Sequence, residues 1–295
     1  MTNIKRWLEQ NTASLQGQVV VITGATGGLG QAVVRYLVQS KAQVIMLGRN
    51  IQNMRDLSAQ LREEFSEAKI ETLVVDLNQI KSVNDVATQL VNRQIDYLIL
   101  NAGIYHVPLV TGQLGYNNVF QVNFISQYYL MKQLLPALQR TKGKVVAVSS
   151  LVHSSVRLDE NDIDYTKHAK AQPVYANSKR FLTLALSEFF KDRDDVRLAI
   201  VHPGVTLTPM TNYKNKKIVA AGMKLVLPKS SVAALNLIKG VFTEIKCDEW
   251  IGPKFLKIWG APTVSKLPKA TAEERAKIFN LAESIGKVIE KSNLF

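Results

Sequence analysis

Residues 18–30 read QVVVITGATGGLG, and the fold turns on how this stretch is read. The β-branched run 18–23 favours a strand, and 29–39 has the periodicity of a helix. Between them Gly24, Gly28 and Gly30 allow the chain to reverse sharply and let its backbone come close to a ligand. A helix that starts at such a turn presents free N–H groups and the positive end of its dipole, which suits a phosphate. Thr26, Gly27 and Leu29 complete this cradle. Glycines also mark ordinary tight turns, but a strand before and a helix after favour nucleotide binding.

Outward from this turn the rhythm repeats. Strands are expected at 43–47, 70–75, 95–100, 144–149 and 196–201, and helices at 52–65, 79–91, 116–139 and 174–191. Near-continuous apolar strands alternating with amphipathic helices predict an α/β fold, a Rossmann-like doubly wound parallel sheet with helices on both faces. No linker or internal repeat interrupts it, so residues 1–295 are read as a single NAD(P)-binding Rossmann domain with a core over 17–252. After Val201 the pattern breaks. Residues 203–229 read as a substrate lid in which 218–227 could be helical. A helix at 230–241 and a last strand at 249–251 follow, and Thr271 and Glu274 form a capping box that opens a C-terminal helix to about residue 290. A short N-terminal helix over 3–13 places Ile4, Trp7 and Leu8 on one face.

Composition narrows the function. Of 295 residues 46% are hydrophobic and 21% charged, enough for a core and too apolar for disorder. A single cysteine, Cys247, excludes a disulfide scaffold, and the four histidines show no metal-ligand spacing, so no metal is expected. No apolar run is long enough to span a membrane, and no apolar segment follows Lys5 and Arg6 as in a signal peptide. A cytoplasmic setting is the simplest expectation. The formal charge is +13, and 201–240 holds six lysines (Lys214, Lys216, Lys217, Lys224, Lys229, Lys239) and no acid. That region reads as a solvated face, with a polyanion or membrane-surface site as the alternative; no nucleic acid is expected.

The second strand ends in Gly48-Arg49, where an NAD site would carry a carboxylate for the ribose 2′-hydroxyl. A guanidinium there suits a 2′-phosphate, so NADP(H) is the expected cofactor unless Arg49 merely points into solvent. Asp76 and Leu77 follow the third strand and are placed to flank an adenine; Asp76 serves equally well as a helix cap. Asn101, Ala102 and Gly103 end the fourth strand, where small residues let a cofactor lie against the backbone.

Tyr175 and Lys179 are four apart at the start of a helix and so share a face. An ammonium beside a phenol favours the phenolate, giving a group that can exchange a proton with a carbonyl or alcohol. Ser149 and Ser150 end the fifth strand on the same sheet edge, and either hydroxyl could bond a substrate carbonyl. Asn123 could hold a water linked to Lys179, or simply bond a neighbouring backbone.

As an ordered set, TGxxxGxG, Asn101-Ala-Gly, Val122-Asn123, Ser149-Ser150, YxxxK and Pro203-Gly204 resemble the short-chain dehydrogenase/reductase superfamily over about residues 17–210. The resemblance implies an NADP-dependent oxidoreductase with an Asn123-Ser150-Tyr175-Lys179 tetrad. In it Tyr175 is the acid/base, Lys179 binds the nicotinamide ribose and lowers the tyrosine pKa, and Ser150 orients the carbonyl. It also implies that Pro203, Gly204, Val205 and Thr208 hold the carboxamide, and that members pair through 116–139 and 174–191 into homodimers or homotetramers. Ser150 and Tyr175 stand 25 positions apart, wider than in many members. This insert and the VSSLVH start at 148–153 resemble the retinol-dehydrogenase-like branch, which suggests a small, apolar carbonyl or alcohol substrate. His153, Tyr105, His106, Val205 and Met210 are candidates to line its pocket. A non-catalytic NADP-binding sensor on the same fold is the alternative.

Overall fold

A computed structural model describes residues 3–168, 170–205 and 227–292. Eight strands form one sheet in the order β3-β2-β1-β4-β5-β6-β7-β8. They are β1 (Val19–Thr23), β2 (Gln43–Gly48), β3 (Lys69–Val74), β4 (Tyr97–Leu100), β5 (Lys144–Val148), β6 (Arg197–Val201), β7 (Glu249–Phe255) and β8 (Trp259–Lys266). The first seven run parallel and β8 returns antiparallel to β7. Strand side chains alternate between two cores, as a period of two requires. Val19, Val21, Leu98, Leu100, Val145 and Ala147 enter one core; Val20, Ile22, Ile99, Val146 and Val148 enter the other.

The helices covering the second face are α1 (Ile4–Asn11), α2 (Gly28–Gln39), α3 (Ile51–Glu64) and α8 (Ser230–Phe242). The first face is covered by α4 (Ile80–Leu90), α5 (Asn118–Phe120), α6 (Ser126–Thr141), α7 (Ala171–Phe189) and α9 (Ala272–Lys291). The doubly wound α/β arrangement is therefore the one expected, and β1 and β4 meet at its switch point.

Three elements depart from the sequence reading. The single helix expected over 116–139 is broken by a π-turn at Gln121–Ile125 centred on Asn123. The last strand runs to Phe255, and β8 was not anticipated, so the sheet extends past residue 252. Gly252, Pro253, Gly260 and Pro262 read as turn signals, but an outer hairpin tolerates them, and Pro253 faces Pro262 in the register. Most of the lid expected at 203–229, including all but the last residue of the stretch 218–227 read as possibly helical, lies outside the described residues.

The capping box is only half formed. Thr271 Oγ1 accepts from Glu274 N at 3.1 Å, but the Glu274 carboxylate turns instead to Arg180 of α7. Arg180 Nε and Nη2 donate to its two oxygens at 2.6 and 2.5 Å, and Leu158 N adds a third bond at 2.9 Å. Burial alone would raise the Glu274 pKa, but its bonds from Arg180 and Leu158 outweigh burial and hold it below 4.5. The pair joins α7 to α9, while Arg180 Nη1 also donates to the His153 carbonyl. Helix α9 lies over α6 as well: Tyr128 and Lys132 bond the two oxygens of Glu283 at 2.7 and 2.8 Å. Pairing through the faces of α6 and α7 would therefore have to accommodate α9.

Glu274→Ala would strand a buried guanidinium and is expected to cost about 3–5 kcal/mol in urea unfolding. Because the native carboxyl is depressed, its contribution is present above pH 4.5 and lost as pH falls through the native value.

Candidate active site

Every parallel strand delivers its carboxyl end to one edge, and the candidate residues lie along it. Gly24 has φ +66°, and an added Cβ would stand 2.8 Å from Ala102 Cα, so no side chain fits between the ends of β1 and β4. Gly30 is equally constrained, since its Cβ would strike the Gly24 carbonyl. Gly27 is the N-cap of α2 and makes no side-chain cap, which leaves the first-turn N–H groups of Gly28, Leu29 and Gly30 without a capping side chain; Thr26 is half-buried beside them.

The sequence reading missed the brace behind this turn. The Thr23 hydroxyl accepts from Asn101 N and Ala102 N, both at 3.0 Å. Asn101 Nδ2 donates to Thr23 O and Gly24 O at 2.9 and 3.1 Å, and Gln127 Nε2 donates to Ala102 O at 2.8 Å. Thr23 stood within the quoted motif, but its polar role appears only when β1 and β4 are paired.

Arg49 follows β2 and is exposed, with no hydrogen-bond or ion-pair partner among the described residues. Asp76 does not cap α4; its Oδ1 accepts from Asn78 N at 3.0 Å in a local turn. Leu77 is buried in the core and its carbonyl accepts from Ser126 Oγ, so its side chain is not available to an adenine. Pro203, Gly204 and Val205 follow β6, with Gly204 at φ +77° packed on Pro253 and Ile258. Thr208 and Met210 lie outside the described residues.

Asn123, Ser150, Tyr175 and Lys179 come together at the ends of β4 and β5. The two serines separate cleanly. Ser149 Oγ is buried against Thr183 Oγ1 at 2.7 Å, whereas the Ser150 side chain lies beside Tyr175, near enough to lower its pKa. Lys179 Nζ donates to Val148 O at 2.8 Å and sits 6.0 Å from the centre of the Tyr175 ring. A Cβ on Gly103 would lie 3.3 Å from Asn123 Oδ1 and 3.5 Å from Lys179 Nζ, so this glycine keeps the floor of the site open. Asn123 spends its amide on structure: Oδ1 accepts from Ile104 N, and Nδ2 donates to Ile104 O and Ser178 Oγ.

The electrostatics differ from the expectation for Tyr175. Burial pushes its phenol up to about 12; Ser150 works against this and Tyr105 adds to it. Burial brings Lys179 down to about 8. The protein alone thus favours the neutral phenol, because at this separation Lys179 does not offset the loss of water.

Of the pocket candidates, Tyr105 packs edge-on against Tyr175 with ring centres 5.1 Å apart. His106 lines a cleft of about 290 Å³ with Val107, Leu109, Val119, Val174 and Ala171, joined by His168 and Lys170. His153 is instead wholly buried, its ring 5.5 Å from Trp250, with His202 on the same indole at 4.1 Å. No cluster of three or more metal-binding side chains occurs among the described residues.

The family profile described as short chain dehydrogenase matches residues 18–219. An uncharacterized oxidoreductase of Schizosaccharomyces pombe is 27% identical over 229 residues, covering 72% of this chain and 67% of the relative. Human retinol dehydrogenase 13 is 26% identical over 207 residues, covering 68% of this chain and 62% of the relative, less than two thirds of its length. Among solved structures, an uncharacterized protein from Mycobacterium paratuberculosis superposes with a TM-score of 0.73 at 24% identity, over 97% of this chain and 98% of that one, a likeness of fold.

Burial, followed by nearby cations, holds His153 at about 3, and burial followed by Lys257 holds His202 at about 3, against 6.5 when free. Unfolding lets both rings protonate, so stability should be independent of them above pH 6.5 and fall as pH drops below it. The pair should contribute a slope of about 2.7 kcal/mol per pH unit well below that value. Denaturant unfolding between 6.5 and the carboxylate range measures it, and a flat profile there would mean that the native rings are solvated.

Proposed function

The chain belongs to the short-chain dehydrogenase family of oxidoreductases, and from that premise we propose that it transfers hydride between NADP(H) and an apolar carbonyl or alcohol. The observation that carries the reading is the convergence of Ser150, Tyr175 and Lys179 where β5 ends, on the same edge as the glycine turn.

The residues present fit a nicotinamide dinucleotide. Gly24 and Gly30 allow the two close backbone approaches that shape the β1–α2 turn, and α2 has no capping side chain that would compete with a diphosphate. The exposed Arg49 would meet a 2′-phosphate, the backbone at Asn101-Ala102-Gly103 would form the floor, and Lys179 would bind ribose hydroxyls. Asp76 and Leu77 contribute through backbone and turn geometry. Pro203, Gly204 and Val205 would hold the carboxamide; Thr208, expected to join them, lies outside the described residues. Nicotinamide supplies or accepts the hydride when bound.

In the reductive direction Ser150 donates a hydrogen bond to the carbonyl oxygen and Tyr175 gives its proton to the alkoxide that develops there. A phenol near 12 is fully protonated at neutral pH and so is ready as an acid. In the oxidative direction Tyr175 must first release its own proton before it takes that of the alcohol, and Lys179, which at about 8 still carries most of its charge at neutral pH, favours that phenolate. Asn123 fixes the Ile104 backbone beside Lys179 and so positions the floor of the site. The name of the retinol dehydrogenase relative supports an apolar substrate, and the cleft beside Tyr175 offers it Val107, Leu109, Val119 and Val174 along with the polar His106, His168 and Lys170.

Titration by nicotinamide fluorescence should show a preference for NADPH over NADH, and Arg49→Ala should weaken NADPH binding by about 10–100-fold while leaving NADH little changed. Equal binding of both cofactors by the wild type would remove Arg49 from this role.

Tyr175→Phe should keep NADPH affinity and lose about 10²–10⁴-fold in turnover of a carbonyl probe. Ser150→Ala should also lose turnover, whereas Ser149→Ala should cost about 1 kcal/mol of stability and little activity. A cofactor-binding protein that reduces no carbonyl, with Tyr175→Phe indistinguishable from wild type, would favour the non-catalytic sensor.

A further inference from the structure

The distribution of exposed apolar side chains is uneven. Among the described residues eight large ones are exposed, and six of these lie at or beyond the carboxyl ends of β4, β6 and β7: Val107, Leu109, Val110, Val205, Phe255 and Leu256. The β7–β8 turn leads this rim. Its sequence is Lys254-Phe255-Leu256-Lys257, with Phe255 63% and Leu256 81% exposed. Leu256 and Lys257 take φ of +48° and +58°, a conformation for which a solvated turn ordinarily uses glycine or asparagine. A leucine at this point places an aliphatic chain at the outermost position of a tight hairpin. The base of the hairpin is fixed, because Pro253 and Ile258 pack on Gly204 beside the candidate active site.

An apolar tip beside the exposed Lys254 matches the boundary of a lipid leaflet, where apolar groups enter the acyl region while an ammonium meets acidic headgroups. Lys254 is exposed, its Nζ 5.8 Å from the Phe255 ring centre and in no ion pair among the described residues, whereas Lys257 turns inward, its Nζ 4.8 Å from the ring centre of the buried Trp250. The chain's +13 charge adds a long-range attraction of the same sign. No helix among the described residues is long and apolar enough to cross a membrane, so the association this geometry offers is peripheral.

We propose that the Lys254–Lys257 hairpin tip docks the carboxyl edge of the sheet onto an anionic phospholipid surface. The edge that carries Ser150 and Tyr175 then faces the lipid, and a substrate dissolved in the leaflet reaches the cleft without crossing water. Delivery of substrate rests on the proposed reaction; docking does not.

The test is co-sedimentation of the full chain, without cofactor or substrate, with phosphatidylcholine vesicles and with vesicles that also contain phosphatidylserine. Wild type should bind the acidic vesicles more tightly, and added salt should weaken that binding. The double variant Phe255→Ser, Leu256→Ser should lose on the order of tenfold or more in affinity, and Lys254→Glu on the order of tenfold. Both changes are at exposed positions, so melting temperature and NADPH binding should match wild type. No vesicle binding, or equal binding by wild type and the tip variants, overturns the proposal. So does a wild type that self-associates in sedimentation velocity and becomes monomeric on Phe255→Ser, Leu256→Ser, since the tip would then be an interface between copies. Because no turnover is measured, failure here is distinct from failure of the redox reading, which Tyr175→Phe decides.

Discussion

A parallel sheet runs out of backbone partners where its strands end, and in this protein the shortfall is greatest between β1 and β4, where successive connections leave in opposite directions. One hydroxyl closes that gap. Thr23 Oγ1 accepts from two consecutive N–H groups of the chain leaving β4, and Asn101 returns two bonds to the chain leaving β1. The glycine turn therefore rests on a hydrogen-bonded floor rather than on its own stiffness. Gly24 can approach Ala102 so closely only because this network holds the two strand ends at that spacing.

Helix α7 divides its work between neighbouring residues. Lys179 faces the edge of the sheet and bonds the end of β5, while Arg180 faces away and is held by Glu274. The same guanidinium reaches the carbonyl of His153, within the turn that follows Ser150. The buried ion pair thus ties α7, which carries Tyr175, to the turn that follows Ser150. An ion pair in a dry site contributes little net stability over a well-packed apolar substitute. What it supplies here is a fixed relation between two segments, 25 positions apart at Ser150 and Tyr175, that must meet.

Burial governs the chemistry of the pair of titratable groups in the site. It raises the phenol to about 12 and lowers the amine to about 8, so both are driven toward their neutral forms. Sequence proximity of a lysine and a tyrosine suggested the opposite for the phenol. The difference is one of distance and dielectric: the ammonium bonds a strand carbonyl rather than the hydroxyl, and removal of water acts on each group separately.

Much of the architecture was legible in the sequence because it follows from local periodicity: the order of strands and helices, the doubly wound sheet, and the edge on which Gly24, Asn101, Ser150 and Tyr175 gather. Glycine spacing and the four-residue step from Tyr175 to Lys179 are likewise local signals. Tertiary structure decided what local pattern cannot carry. It engaged the Ser149 hydroxyl with Thr183 and set the Ser150 side chain beside Tyr175, a difference that two adjacent serines do not show in sequence. It turned Asn123 into a clamp on Ile104 through a π-turn with no sequence signature, took Leu77 into the core, and buried His153 beside Trp250. It also added β8, whose prolines and glycines imitate a loop until β7 supplies a partner. Periodicity is a property of neighbours along the chain, whereas occupancy of a hydroxyl, loss of water from a charge and pairing of an edge strand depend on residues that only folding brings together.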